Sequence, residues 1–354
     1  MAAAKWKTAA LAVVIAGVGI LVLALVSGLL YEQTQRARDR ERYPQVGRSV
    51  DIGGRMLNIN CAGAGQPAVI LESGANWPLS PSVRDPRTMF VNGGPRPGYG
   101  WVTVQRALAA ETTVCWYDRA GSGWSELGPY PRDSAAQARD LHALLGAARV
   151  AGPYVLVGES SAGLDVRVYA GMYPSEVAGV VLVNWADPAI FLGALPNNGI
   201  RAKRMPELAY HGQDAAAHVF NALGLYRLGH VPPAPAPPKA LTSVEWNTIW
   251  FLTHSSKAMS ALMQDIASWR LSSAEAREAG SLGERPLCVL SADNVGGQPR
   301  FLDAWTKALK DLARLSTRGR QVTVSGGASD LLYDAPEAIV EAVRQVVTEV
   351  REVH

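Results

Sequence analysis

YVLVGESSAGLDVRVYAG (Tyr154–Gly171) reads as a buried strand, a sharp turn carrying Ser160, and a helix. The turn is Gly158-Glu159-Ser160-Ser161-Ala162-Gly163, close to the pattern Gly-x-Ser-x-Gly, with Ala162 as the final small residue and Gly163 after it. A turn this tight tolerates only small neighbours, and its strained backbone projects the serine hydroxyl beyond the sheet. A serine so placed depends on a base, most often a histidine supplied by a loop elsewhere in the chain. The late loop here, Ser325–Asp334 within VTVSGGASDLLYDAPEAIVEAV, contains no histidine.

Outward from that turn, the hydrophobic pattern alternates between strands and helices. RSVDIGGRMLNINC (Arg48–Cys61) reads as a hairpin around Gly53-Gly54, and AVILES (Ala68–Ser73) as a buried parallel strand. Asn76–Gly100, rich in Pro and Gly, reads as a long surface loop with exposed arginines. Trp101–Ala110 has helical spacing, Thr112–Asp118 is a strand, and Ser134–Ala148 a helix with Leu141, Leu144 and Leu145 on one face. Gly179–Val183 is the next strand. Alternation then stops for about a hundred residues, mainly helical in pattern and including HVPPAPAPPK (His230–Lys239). Strands at Pro286–Ala292 and Gln321–Gly326, with helices at Phe301–Leu315 and Ala335–Val350, complete the chain. The fold class is α/β, a mostly parallel sheet covered by helices on both faces, with a helical cap inserted between two strands.

Thr8–Tyr31 is different in kind, an uncharged run long enough to span a bilayer core as a helix. Its length favours a retained anchor over a cleaved signal peptide. Lys5 and Lys7 precede it, while Arg36, Arg38, Arg40 and Arg42 follow in a charged stalk. The arginine count points the domain to the cytoplasm, and the export-like start points the other way. The expected organisation is an anchor over 1–31, a stalk over 32–47, a core over 48–184 and 285–354, and a cap over 185–284. A net charge of +3 across 354 residues excludes a strongly basic nucleic-acid surface. Of the three cysteines, Cys61, Cys115 and Cys288, none falls in a CxxC or His/Cys cluster, so the sequence calls for no metal and no cofactor.

With these pieces in order, the chain resembles bacterial α/β-hydrolase-fold proteins carrying a single N-terminal membrane anchor. The resemblance rests on RYPQVGRSVDIGGRMLNINCAGAGQPAVILESG, VCWYDRAGSGWSELGPYPR, GPYVLVGESSAGLDVRVYAGMYPSEVAGVVLVN and the late DAPEAIVEAV. It implies Ser160 as the nucleophile, with the amide of Ser161 and that of Ala75 or Asn76 forming an oxyanion hole. It assigns no catalytic role to Tyr117-Asp118-Arg119. It also makes the strands of Cys61 and Cys115 neighbours, which allows a disulfide in an oxidising compartment and tilts the domain towards the extracytoplasmic side.

Two positions depart from the family pattern. Glu159 stands where relatives carry histidine, setting a carboxylate beside the nucleophile; an anion there opposes alkoxide and oxyanion formation unless paired or protonated. Aligned on Asp334-Ala335-Pro336-Glu337, Ser329 falls where the catalytic histidine belongs, and a serine hydroxyl cannot take up a proton near neutral pH. Asp293 and Asp187 are the acid candidates. His254 is the one histidine of the cap that reads as a visitor to the site, against a plain reading as a surface histidine of a cap helix; His142 reads as surface or packing. The expectation is therefore a membrane-anchored fold with an incomplete triad, serving as a scaffold or accessory subunit beside other membrane proteins. The alternatives are a serine ester hydrolase with a displaced base, acting on a small ester, and a small-ligand binder lined by Trp185, Trp246, Trp250 and Phe251. The expected partners are the lipid bilayer, through residues 8–31, and a membrane protein.

Overall fold

The computed structural model describes residues 2–76, 94–184, 212, 215, 216, 219, 222–225, 227, 234–293, 299–326 and 330–352. The chain divides into two compact units, one of residues 1–45 with 206–232, the other of 46–205 with 233–354.

In the first unit, helix α1 (Ala2–Arg42) runs without a break through the apolar stretch and the charged stalk. The stalk is thus helical to Arg42, just ahead of Pro44, which cannot continue an α-helix without loss of a backbone donor. Leu11, Ile15, Ile20, Leu23 and Leu30 are all exposed in the chain by itself. The helix is long and apolar enough to cross a membrane, and a bilayer removes that apolar surface from water.

The second unit is built on an eight-stranded sheet, in the order β1-β2-β6-β3-β7-β8-β9-β10. β1 (Arg48–Asp51) and β2 (Met56–Ala62) form the antiparallel hairpin around Gly53-Gly54. β2 is also antiparallel to β6 (Val114–Tyr117). From β6 onward every pairing is parallel: β3 (Ala68–Ser73), β7 (Tyr154–Glu159), β8 (Val177–Val183), β9 (Leu287–Ala292) and β10 (Gly319–Val324). β3, β6, β7 and β9 are buried along their whole length. That is why they read as continuous apolar runs and not as alternating ones. A two-residue pair, β4 (Ala75–Asn76) with β5 (Gly94–Pro95), lies outside the main sheet.

Helices α2 (Val102–Leu108), α3 (Ser134–Ala148), α4 (Ala162–Met172), α5 (Ser243–Thr253), α6 (Ser256–Glu278), α7 (Pro299–Ala313), α8 (Leu331–Asp334) and α9 (Pro336–Arg351) complete the described unit. Their ends follow from local chemistry. The Asp133 carboxylate accepts the Ala136 amide at the start of α3, and Thr242 with Glu245 closes a reciprocal cap on α5. Arg149 ends α3 in the left-handed conformation (φ 58°). α4, the helix behind the serine turn, is buried at every residue from Ala162 to Ala170, which fixes the turn at its base. Cys61 and Cys115 are direct partners in the β2–β6 register and are joined by a disulfide, while Cys288 is buried and free.

Candidate functional site

Three strand ends converge to build the site. β7 ends at Glu159, and the chain reverses at Ser160 with φ +54° before entering α4. A non-glycine residue held in this region of the map carries strain, and the surroundings hold it there. The Ser160 amide donates to the carbonyls of Val183 (2.9 Å) and Asn184 (3.0 Å) at the end of β8. On the other side, the Gly74 amide donates to the Glu159 carbonyl at 3.0 Å. The two backbones approach so closely that a Cβ on Gly74 would lie 2.5 Å from that oxygen and 2.6 Å from the amide nitrogens of Ser161 and Ala162. Only glycine fits there.

The hydroxyls of the turn are both engaged with Ala75. Ser160 Oγ donates to the Ala75 carbonyl at 2.9 Å, and the Ala75 amide donates to Ser161 Oγ at 2.8 Å. Of the amides that the family pattern assigns to an oxyanion hole, the one at Ala75 is therefore already used by Ser161. Asn76 continues β4, opposite Gly94. This hydroxyl role for Ser161 has no signature in the sequence.

The unexpected residue is Arg96. The Pro- and Gly-rich stretch reads as a surface loop with exposed arginines, yet Arg96 is buried at 5% exposure. Its charge is met from both sides. The guanidinium binds the Asp330 carboxylate through two nitrogens, one at 2.9 Å, and lies 3.5 Å from Glu159 Oε1. It also sits over the Tyr333 ring, 4.9 Å from the centroid, a cation–π contact. The Ser122 hydroxyl donates to its carbonyl, and its amide donates to Gly74. A buried guanidinium survives only with such partners.

Arg96 thus links the residue before Ser160 to the residue after Ser329. Ser329 itself lies outside the described residues, as does Asp187. Asp293 stands at the end of β9, with its carboxylate accepting the Gly326 amide at 3.0 Å. Asn184, at φ +46°, accepts the Ala292 amide through its side chain. His254 caps the end of α5, buried, with Nδ1 2.8 Å from the Trp250 carbonyl and its ring against Trp250. His142 is on the surface, stacked on Tyr173 and paired with Glu176. Among the described residues, no histidine is hydrogen-bonded to Ser160.

A second buried charge cluster supports the site from behind. Arg119 binds Asp165 at 2.9 Å and Asp265 at 2.7 Å, tying α4 to α6. Ser134 at the start of α3 donates to Asp165, and Arg132 binds Gln137 and Asp140. Arg119, Arg132, Ser134, Asp165 and Asp265, with Ser161 and Trp269, line a small cavity with room for about one water. Burial first, and then the Asp165 charge, raise the Glu72 carboxyl well above its ordinary range. Asp118 accepts from Gly98, Asn58 and Trp124, a structural role that holds the chain just after Arg96.

Burial pushes the Glu159 carboxyl up to about 7, while the Arg96 charge pulls it down. A free glutamate titrates near 4.5, so between those values the folded chain holds more protons than the unfolded one. Stability contributed by this group is therefore lost as the pH rises from about 4.5 through 7. Glu159→Gln should abolish that loss. Urea unfolding of parent and variant at acid and at mildly alkaline pH should show a difference changing by ~3 kcal/mol, in favour of the variant at high pH.

The α/β-hydrolase-fold family model matches residues 88–209. The "Probable transporter efuK" of Hormonema carpetanum is 26% identical over 291 residues, 74% of this chain and 39% of that protein. An uncharacterized vacuolar membrane protein of Saccharomyces cerevisiae is 31% identical over 136 residues, 37% of this chain and 20% of the yeast protein. The chain thus spans well under half the length of either relative. Among solved structures, Cfl2 from Burkholderia cenocepacia superposes with a TM-score of 0.59 at 19% identity, over 85% of this chain and 95% of that one. An esterase from Thermogutta terrifontis gives 0.54 at 17% identity, over 86% and 99%. The strand order, the strained serine turn and these likenesses agree: the chain has the α/β-hydrolase fold, preceded by one long apolar helix near its N-terminus.

Proposed function

We propose that this chain is a membrane-anchored α/β-hydrolase-fold protein that does not turn over a substrate and serves as a scaffold or accessory subunit of a membrane complex. The observation that carries the reading is the Glu159–Arg96–Asp330 ion cluster beside Ser160. Hydrolysis at Ser160 needs a group that takes up its proton and passes it to the leaving atom. Arg96 has no acceptor site and does not deprotonate in proteins. Asp330 is committed to Arg96, and the Ser160 hydroxyl is turned to a carbonyl. Serine at position 329 leaves the histidine position without a base. The membrane-related names of two relatives, a probable transporter and a vacuolar membrane protein, support a membrane setting.

A second reading, a serine ester hydrolase with a displaced base, is favoured by one feature. The strained backbone at Ser160, of order 1–3 kcal/mol, is kept although a scaffold has no use for it. Turnover of a short-chain activated ester separates the two. Parent and Ser160→Ala should be indistinguishable, and Ser329→His should gain turnover that disappears in Ser160→Ala/Ser329→His. A parent rate that collapses in Ser160→Ala overturns the non-catalytic reading.

The domain faces an oxidising compartment in this proposal, because disulfides such as Cys61–Cys115 persist there and are rare in a reducing cytosol. Rapid alkylation of thiols in intact cells before lysis checks the assignment. The chain should carry no label on Cys61 until a reductant is added; prompt labelling of the exposed Cys61 would place the domain on the cytoplasmic side.

A further inference from the structure

The unit containing α1 also contains residues 206–232, a segment that the sequence assigns to the cap. Its described residues run along the C-terminal end of the apolar stretch. Gly28 packs so closely on Leu223 that a Cβ there would lie 2.8 Å from the Leu223 carbonyl oxygen. One turn on, the Tyr31 ring covers Gly224, which adopts φ +70°. Beyond Tyr31, Arg227 is held by Glu32 (3.0 Å) and Asp39 (2.8 Å). Glu32 is buried by this contact and also accepts from Arg36. Glycine at 28 and an ion pair at 227 are the two features that let a second segment seat on the helix here.

The position of that seat along α1 is informative. Gly28 and Tyr31 belong to the last turn of the uncharged run, whereas Glu32, Arg36, Arg38 and Asp39 begin the charged stalk. At 1.5 Å per residue, Gly28 to Asp39 covers ~16 Å, which brackets the boundary between hydrocarbon and headgroups for a helix that spans at 8–31. Val219 and Leu225 project from the docked segment with 60% and 40% of their surface exposed. Val219 lies one helical turn before Leu223, whose amide donates to its carbonyl, so it flanks the residue that touches Gly28.

We infer that the described residues docked on α1, Val219, Leu223–Leu225 and Arg227, form an interfacial element that inserts Val219 and Leu225 into the bilayer leaflet from which α1 emerges. Apolar side chains at this depth leave water while the Arg227 cluster stays at the polar surface, the usual division for a segment lying in the interface. The exposed Arg36 and Arg38 on α1 stand at the height of the lipid phosphates and add attraction to an anionic leaflet. The partner is thus lipid itself. The inference rests on α1 being a membrane span.

The test uses the full chain reconstituted in phosphatidylcholine–phosphatidylglycerol vesicles, with Val219→Cys and, separately, Leu225→Cys carrying an environment-sensitive fluorophore. Cys61 and Cys115 are bonded and Cys288 is buried, so the new thiol is the one labelled. Both probes should show blue-shifted emission and lose intensity when the vesicles contain lipids with a quencher just below the headgroup. Water-like emission that the quenching lipids leave unchanged at both positions, in protein that floats with the vesicles, overturns the inference while leaving the anchor intact. Failure of the chain to float removes the anchor reading and this inference together.

Discussion

Everything at the serine turn depends on one close approach, that of the Gly74 backbone to the end of β7. The Gly74 amide binds the Glu159 carbonyl, and the absence of a side chain at Gly74 lets Ala75 reach both serines. Ser160 is held at positive φ because its amide is fixed to the end of β8 while α4, buried along most of its length, leaves the following residues no room to relax. The sheet register between β3, β7 and β8 sets the positions of all three strand ends. Strain of a few kcal/mol persists only where neighbours over-determine the backbone in this way.

The same convergence brings charge into a place where charge is costly. Glu159 lies next to the strained serine with 3% of its surface exposed, and one of its oxygens has no hydrogen-bond partner among the described residues. An isolated carboxylate there would not stay ionised. Arg96, directly after β5, supplies the counter-charge and is itself held by Asp330 and Tyr333. Removing Arg96 would leave the buried carboxyl groups uncompensated, at a cost of ~3–5 kcal/mol. The arrangement accordingly locks the segment after β5, the serine turn and the start of α8 together. It fills the region that proton transfer would need with the Arg96 guanidinium and the side chains that hold it.

Much of this was legible in the residues. The continuous apolar runs at β3, β7 and β8, the Gly53-Gly54 hairpin and the leucine spacing of α3 each lead to elements found within a residue or two of their expected ends. The tight turn at Ser160 announced itself through its small neighbours. Arg96 did not, because a Pro- and Gly-rich loop has no periodicity from which burial follows. The available clue was chemical: Glu159 in a strand otherwise wholly apolar demands a buried cation or a proton, and the sequence does not say which arginine provides it. The hydroxyl contacts of Ser161 with Ala75 depend on rotamers, which no spacing encodes. Nor does any pattern connect Arg227 with Glu32, 195 residues apart.

The central claim is that Ser160 is held in a nucleophile's backbone without a group to accept its proton. The most direct measurement is the stoichiometry of a fluorophosphonate adduct on Ser160, read by mass spectrometry of the intact chain and its peptides. Phosphonylation requires an activated serine but no substrate recognition, so it reports the proton chemistry alone. The account predicts no stoichiometric adduct on Ser160 after long incubation at neutral pH. Rapid, complete modification of Ser160 would contradict it and would mean that a base reaches the turn.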